Sequence, residues 1–95
     1  MKPWNIWEIN MKIMQVSRMK ALNKDQQNAF HAELERFYAA PPKDLIIVAD
    51  YVATDQSRSF TLLEVPDLER LHEINQPFTP FVDYEIFEVR PATDK

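Results

Sequence analysis

The chain has 95 residues, a net charge of −4, no cysteine and no glycine, which allows one domain and excludes disulfides, thiolate metal sites and a cysteine nucleophile. Without glycine, neither a phosphate-binding P-loop nor a Rossmann turn can form, so nucleotide binding by those routes is excluded. An acidic chain without a basic stripe, a membrane-length apolar run or a signal-peptide core is expected to be cytoplasmic, with no nucleic-acid or membrane partner.

Residues 1–10 form an arm that precedes the predicted domain, residues 11–91, and residues 92–95 are a polar tail. Trp4 and Trp7 place a large apolar surface at this terminus, so we expect the arm to dock on its own domain or on a second chain. A lid over a bound ligand is the alternative, and it makes Trp7 a ligand contact. An artefact of start-site choice is a third interpretation, because the first shared strand pattern begins only after the arm.

The first two elements are a strand over Met11–Ser17 and a helix that begins after Asn23. Asn23 is a typical N-cap residue, and Gln26 stands where a capping box places the reciprocal side chain. Proline cannot continue a helix, so Pro41-Pro42 ends this one. The apolar stripe that should face the sheet has helical spacing and consists of Phe30, Leu34 and Phe37.

Two further strands are predicted over Asp44–Val52 and Ser59–Val65. The segment between them, residues 53–58, is short and polar, which predicts a hairpin. Leu45–Val48 and Phe60–Val65 are apolar at nearly every position. Such runs are typical of strands that are buried on both faces.

A second, shorter helix and a last strand complete the domain. Pro66-Asp67 is typical of a helix start, and Gln76-Pro77 closes the helix. We expect Leu68 and Leu71 to define its inward face. The last strand is predicted over Val82–Arg90.

The order of the predicted elements is βαββαβ, which folds as a ferredoxin-like α+β sandwich with one four-stranded antiparallel sheet and two helices on one face. The open sheet face would carry half of the apolar positions of both hairpin strands. From the last strand it would carry either Val82, Tyr84 and Ile86 or Phe87 and Val89. An apolar patch of that size is typical of an interface. We therefore expect a homodimer through the open sheet face, in which two sheets form a dimeric α/β barrel.

Three segments carry a family resemblance: Lys12-Ile13-Met14 in the first strand, Ser59–Val65 continuing into Pro66–Leu71, and Asp83–Ile86 in the last strand. Over about residues 11–91 the sequence resembles the dimeric α/β-barrel superfamily, and within it a small bacterial family known only as a domain of unknown function. The superfamily includes cofactor-independent monooxygenases, haem-degrading enzymes, lactone isomerases, polyketide cyclases and members without a known activity, and the fold alone does not choose among them. The resemblance also implies a small-molecule pocket between sheet and helices.

His72 is the first candidate for chemistry. We expect it on the helix face that carries Leu68, Leu71 and Asn75, so its imidazole should point toward the sheet and the implied pocket. There it would act as a general acid or base near neutral pH. The alternative is a structural, half-buried histidine that hydrogen-bonds a backbone carbonyl or a strand carboxylate.

Polar groups within the apolar strands are the other candidates, because an unpaired buried charge is costly. We expect Asp50 and Tyr84 to take part in catalysis beside His72, although a strand carboxylate can also face solvent and a tyrosine can serve a dimer interface. The expected ligand contacts are Arg18, Tyr51, Phe78 and Trp7. No cofactor and no metal is expected, since the Glu69-x-x-His72 spacing lacks the further ligands of a di-metal site.

Two functions remain open from the sequence. The first is a binder, or a cofactor-independent monooxygenase, isomerase or cyclase, for a small apolar or aromatic molecule held between sheet and helices. The second is a non-catalytic module whose role is its own homo-oligomeric assembly. A closed apolar cavity that reaches His72 would favour the first, and a cavity filled by Phe30, Leu34 and Phe78 would favour the second.

Overall fold

A computed structural model describes residues 10–93, and its elements follow the predicted βαββαβ order. The strands form one antiparallel sheet in the order β2-β3-β1-β4, and both helices lie over the same face of it. The predicted ferredoxin-like α+β fold is therefore confirmed. The elements are β1 (Met11–Met19), α1 (Lys24–Ala39), β2 (Ile46–Val52), β3 (Ser59–Val65), α2 (Leu68–Asn75), a 3-10 turn (Gln76–Phe78) and β4 (Val82–Glu88).

Both helices begin where the sequence predicts. The Asn23 side chain accepts a hydrogen bond from the Gln26 amide at 2.8 Å, and the Gln26 side chain accepts one from the Asn23 amide at 2.9 Å. This is the predicted capping box, which satisfies two amides that the first helical turn leaves without partners. Asp67 caps α2 in the same manner, since its carboxylate accepts from the Arg70 amide at 2.8 Å.

The bounds of β1, β2 and β4 differ from the predicted ones by two residues each. β1 continues to Met19, because that residue still pairs with Val82 of β4. β2 begins only at Ile46, since the Asp44 carboxylate is bonded to Arg70 of α2 and the Leu45 amide to the Pro42 carbonyl. The first contact ties this segment to α2, and the second closes a local turn before the chain enters the sheet.

One cluster of the buried core consists of Ile13, Leu63, Val65 and Leu71, from β1, β3 and α2. Phe78, Phe81 and Val82 are buried outside this cluster. No residue of α1 is buried. Instead, α1 packs through its aromatic rings on the segment after α2, with Phe30 and Phe37 at 6.3 and 6.0 Å from the ring of Phe78.

Strand register decides which residues share a sheet face, because directly paired residues point the same way. Ser17 pairs with both Ser59 and Tyr84 on the helix side. Val16 pairs with Phe60 on the other side, which we call the outer face. The outer face also carries Met14, Leu62, Tyr51 and Phe87, so β4 contributes Phe87 there and turns Val82, Tyr84 and Ile86 toward the helices.

Trp4 and Trp7 lie outside the described residues, and with them the expected roles of the arm. Neither helix within residues 10–93 is long and apolar enough to cross a membrane.

Candidate functional site

A cleft of about 280 Å³ lies between α1 and the helix side of the sheet. It exists because α1 approaches the 3-10 turn more closely than it approaches any strand. One wall is therefore helical and mostly aromatic, and the floor is the sheet. The wall consists of Phe30, Leu34, Phe37 and Tyr38 from α1 together with Phe78. These side chains line the cleft and leave it open.

The floor of the cleft carries a row of hydroxyl groups across three strands. Ser59, Ser17 and Tyr84 occupy paired positions on β3, β1 and β4, and all three line the cleft. The same sheet face holds Ile13 and Leu63 in the buried core four residues further along. The helix side of the sheet thus changes from apolar to polar under α1. If α1 only covered the sheet, apolar side chains would be expected there.

Two hydrogen bonds fix the next polar groups of the floor. The Thr61 hydroxyl donates to the Asp50 carboxylate at 2.8 Å. The Asn75 amide of α2 donates to the Gln15 side-chain carbonyl at 2.8 Å, and both of these residues are buried. All four residues line the cleft. Polar atoms held in this way present a defined pattern of donors and acceptors to anything that enters.

Tyr84 is the most perturbed titratable group of the cleft. Burial raises the pKa of Tyr84 to about 12, because the phenolate form would lose its hydration. The phenol therefore remains protonated at neutral pH and can donate a hydrogen bond. Within residues 10–93 its hydroxyl has no hydrogen-bond partner, and it borders the cleft. Tyr84 is thus suited to donate to a ligand oxygen and unsuited to act as a base near neutrality.

Three of the residues predicted for the site, Tyr84, Asp50 and Phe78, border the cleft. Arg18 touches the edge of the cleft as well, but its pairing with Asp83 turns its side chain to the outer face. Arg18 in addition borders a hollow of about 130 Å³ on the outer face. The catalytic and ligand-binding roles expected of these residues stay predictions.

The expected inward orientation of His72 is wrong. Its side chain is exposed, and it does not line the cleft. The buried stripe of α2 contains Leu71 and Asn75 and continues to Phe78. One residue after Leu71, the helix has turned by roughly 100°, which carries His72 past the edge of that stripe. Leu68, which was expected to face inward as well, is 41% exposed.

One predicted ligand contact, Tyr51, does not meet the cleft. Tyr51 pairs with Phe60 on the outer face and is 70% exposed. Its orientation follows from a β-bulge between Ile47 and Ala49, which reverses the alternation of side chains along β2. Trp7 lies outside the described residues.

Sequence reasoning missed the small polar residues of the floor. Gln15 and Ser17 follow Ile13 at alternate positions of β1, and Thr61 and Ser59 hold the matching positions of β3. Paired polar residues on the inner side of two adjacent strands were the available signal. Arg58, which also borders the cleft, gave no such signal because it lies at the end of a loop. Residues 10–93 contain no group of three or more side chains that could hold a metal ion.

Comparison with known proteins gives a family without an assigned activity. Residues 11–94 match the model of a domain of unknown function, DUF3303. No curated protein and no solved structure matches the chain. The expected resemblance to a small family of unknown function is confirmed, and the fold class rests on the structure.

Proposed function

We propose, for a chain that belongs to the DUF3303 family, that the cleft between α1 and the sheet binds a small molecule of largely apolar or aromatic character. The observation that carries this proposal is the hydroxyl row of Ser59, Ser17 and Tyr84 beneath an aromatic wall. Apolar walls with a few fixed polar groups are the usual composition of small-molecule sites.

The dimensions of the cleft limit the size of the ligand. A volume of about 280 Å³ is just below the range of most ligand sites, roughly 300–1,000 Å³. A compound of one or two rings matches this space. Its ring system would pack on Phe30 and Phe37, and its oxygen atoms would meet the hydroxyl row.

Chemistry on the bound molecule is an extension of this proposal. Tyr84 would supply a proton or a hydrogen bond to a developing oxyanion, and the Asp50 carboxylate would accept a proton. Both side chains border the same space. A reaction built on them needs no cofactor, in line with the activities that the resemblance implies. His72 has no part in it, because it is exposed away from the cleft.

Filling the cleft tests the binding proposal. Ser17→Leu adds an apolar side chain to the middle of the floor without changing the outer face. It should abolish binding of a two-ring probe such as 2-naphthamide in calorimetry while the protein stays folded. Ala29→Leu, on the exposed side of α1, adds similar volume outside the cleft and should leave binding unchanged. Equal probe binding by Ser17→Leu and the wild type would contradict the proposal.

We also propose that two copies of the chain pair through the outer face. Its apolar side chains include Phe87, which is 50% exposed, and Tyr51. Both signs of charge surround them: Lys12 lies 3.9 Å from Glu64, and Arg18 borders a hollow with Asp83 and Glu85. A twofold axis can bring the basic side chains of one copy to the acidic ones of the other. The outer face therefore suits a second copy of the chain as its partner.

A further inference from the structure

Gln15 and Asn75 form a buried amide pair at one end of the cleft. The Asn75 amide nitrogen donates to the Gln15 carbonyl oxygen at 2.8 Å. The two residues are 9% and 6% exposed, and both border the cleft. A side-chain amide can donate two hydrogen bonds and accept two more. One bond between the two amides therefore uses only part of what the pair can offer.

Two groups of this pair have no partner among residues 10–93. The Gln15 amide nitrogen donates no hydrogen bond there, and the Asn75 carbonyl oxygen accepts none. Within the same residues, no side-chain nitrogen or oxygen is fully buried without a partner. Both groups therefore reach open space, and the cleft is the open space that the two residues border. The pair thus presents a donor beside an acceptor.

The charges near the cleft do not select an anion. Arg18 turns to the outer face. Arg58 and Asp50 both border the cleft and have opposite charges. A second carboxylate lies beside Arg58, since hydrogen bonds from Ser57 and the charge of Arg58 lower the pKa of Asp55. Recognition in the cleft then depends on uncharged donors and acceptors.

The aromatic wall continues from the amide pair. Phe78 follows Asn75 by three residues on the buried stripe that α2 and the 3-10 turn share. The rings of Phe30 and Phe37 lie 6.3 and 6.0 Å from the ring of Phe78. A polar group held by the pair would therefore carry its ring system against these three side chains.

We propose that the ligand of the cleft is an uncharged aromatic compound that carries a primary amide or a lactam. Its carbonyl oxygen would accept from Gln15 and its N–H would donate to Asn75, so that three amides close a ring of hydrogen bonds. Primary amides and lactams have an N–H on the same side as the carbonyl oxygen, whereas an open-chain secondary amide is trans and has them on opposite sides. This inference rests on the proposed binding function and names the chemical class of its ligand.

Three probes with one ring system test the inference in calorimetry. Methyl 2-naphthyl ketone has the shape of 2-naphthamide but a methyl group in place of the amino group. N-methyl-2-naphthamide has its N–H opposite the carbonyl oxygen. The wild type should bind 2-naphthamide roughly tenfold or more tightly than either analogue, because both analogues leave the Asn75 carbonyl oxygen unpaired and without water.

Variants assign this preference to the amide pair. The double variant Gln15→Leu/Asn75→Leu replaces both amides by apolar side chains and should bind 2-naphthamide and the ketone equally. Gln76→Leu removes an exposed amide outside the cleft and should keep the preference. A measurement on the wild type does not depend on the folding of the double variant. In the isotope-labelled wild type, saturating 2-naphthamide should shift the side-chain NH2 signals of Gln15 and leave those of Gln76 in place.

The possible results separate this inference from the binding function. Equal binding of 2-naphthamide and either analogue by the wild type would overturn the amide assignment and leave the binding function standing. A preference that persists in the folded double variant, or Gln15 signals that stay in place at saturation, would overturn the role of the pair. If no probe binds the wild type, the binding function fails, and the inference fails with it.

Discussion

Asn75 of α2 donates a buried hydrogen bond to Gln15 of β1 at 2.8 Å, across 60 residues of sequence. The contact stands where the apolar core ends and the polar floor of the cleft begins, one alternate position beyond Ile13. It joins the second helix to the centre of the sheet. The same pair therefore supports the fold and shapes one end of the candidate site.

Removing one partner of this bond should destabilise the protein. Asn75→Ala leaves the Gln15 carbonyl without its donor, and an unsatisfied buried polar group costs about 1–3 kcal/mol. Urea unfolding should show that loss in the free energy of unfolding. The double variant Gln15→Leu/Asn75→Leu removes both polar groups and should lose less than the sum of the two single leucine variants. An additive result would mean that the bond contributes nothing specific.

Asp44 and Arg70 should make stability depend on acid pH. The two hydrogen bonds from Arg70, at 2.7 and 3.1 Å, hold the pKa of Asp44 below its ordinary value of 3.8. A carboxyl whose pKa is lowered by folding stabilises the protein above its unfolded pKa, and this contribution is lost as the pH falls through the folded pKa. The melting temperature of Asp44→Asn should therefore lie below that of the wild type near neutrality and converge with it in strong acid. A difference that does not change with pH would contradict this role.

Tyr84 should ionise late in an alkaline titration. Because its folded pKa is raised to about 12, its contribution to stability is complete below the unfolded pKa of about 10 and is lost as the pH rises through 12. Phenolate absorbance should show one late component that Tyr84→Phe removes. Tyr51→Phe, which deletes an exposed phenol, is the control and should retain that component. If Tyr51→Phe lost the late component, that component would belong to Tyr51 and not to Tyr84.

The outer face should control assembly. Phe87 is half exposed in the single chain, so Phe87→Lys should leave the monomer folded but place a charge in the proposed interface. Sedimentation at micromolar concentration should give twice the chain mass for the wild type and the single chain mass, 11.3 kDa, for this variant. Leu68→Lys makes the same change on the helix side and should remain dimeric. A monomeric wild type would refute the dimer.

His72→Gln should be silent. The side chain is exposed on α2 and lies outside the cleft, so neither the melting temperature nor probe binding should change. A loss of probe binding without a loss of stability would restore His72 as a functional residue.

The elements of the fold were predictable because their boundaries depend on local chemistry. Asn23 with Gln26 sets the start of α1 through hydrogen bonds between near neighbours, and Pro41 stops it for a steric reason. β3 was predicted to the residue, since apolar strand residues are bounded on one side by a polar loop and on the other by Pro66. Such signals need no knowledge of the tertiary structure.

The site was harder to predict because it depends on long-range register. In a helix of eight residues, the spacing of Leu68, Leu71 and Ile74 allows two overlapping apolar stripes. The hydrogen bond from Asn75 to β1 favours the stripe that excludes His72. The bulge in β2 placed Tyr51 on the outer face. Neither the bond nor the bulge has a local sequence signal.

The most direct test of the account is to map a bound probe on the protein by NMR. Titrating the isotope-labelled wild type with 2-naphthamide should shift the amide signals of Ser17, Ser59 and Thr61 on the floor and of Phe30 and Phe37 on α1. The signals of Leu68 and Glu69, at the start of α2 and outside the cleft, should not move. Saturating probe without any shift, or shifts confined to outer-face residues such as Phe60 and Phe87, would contradict the claim that the cleft between α1 and the sheet is the binding site.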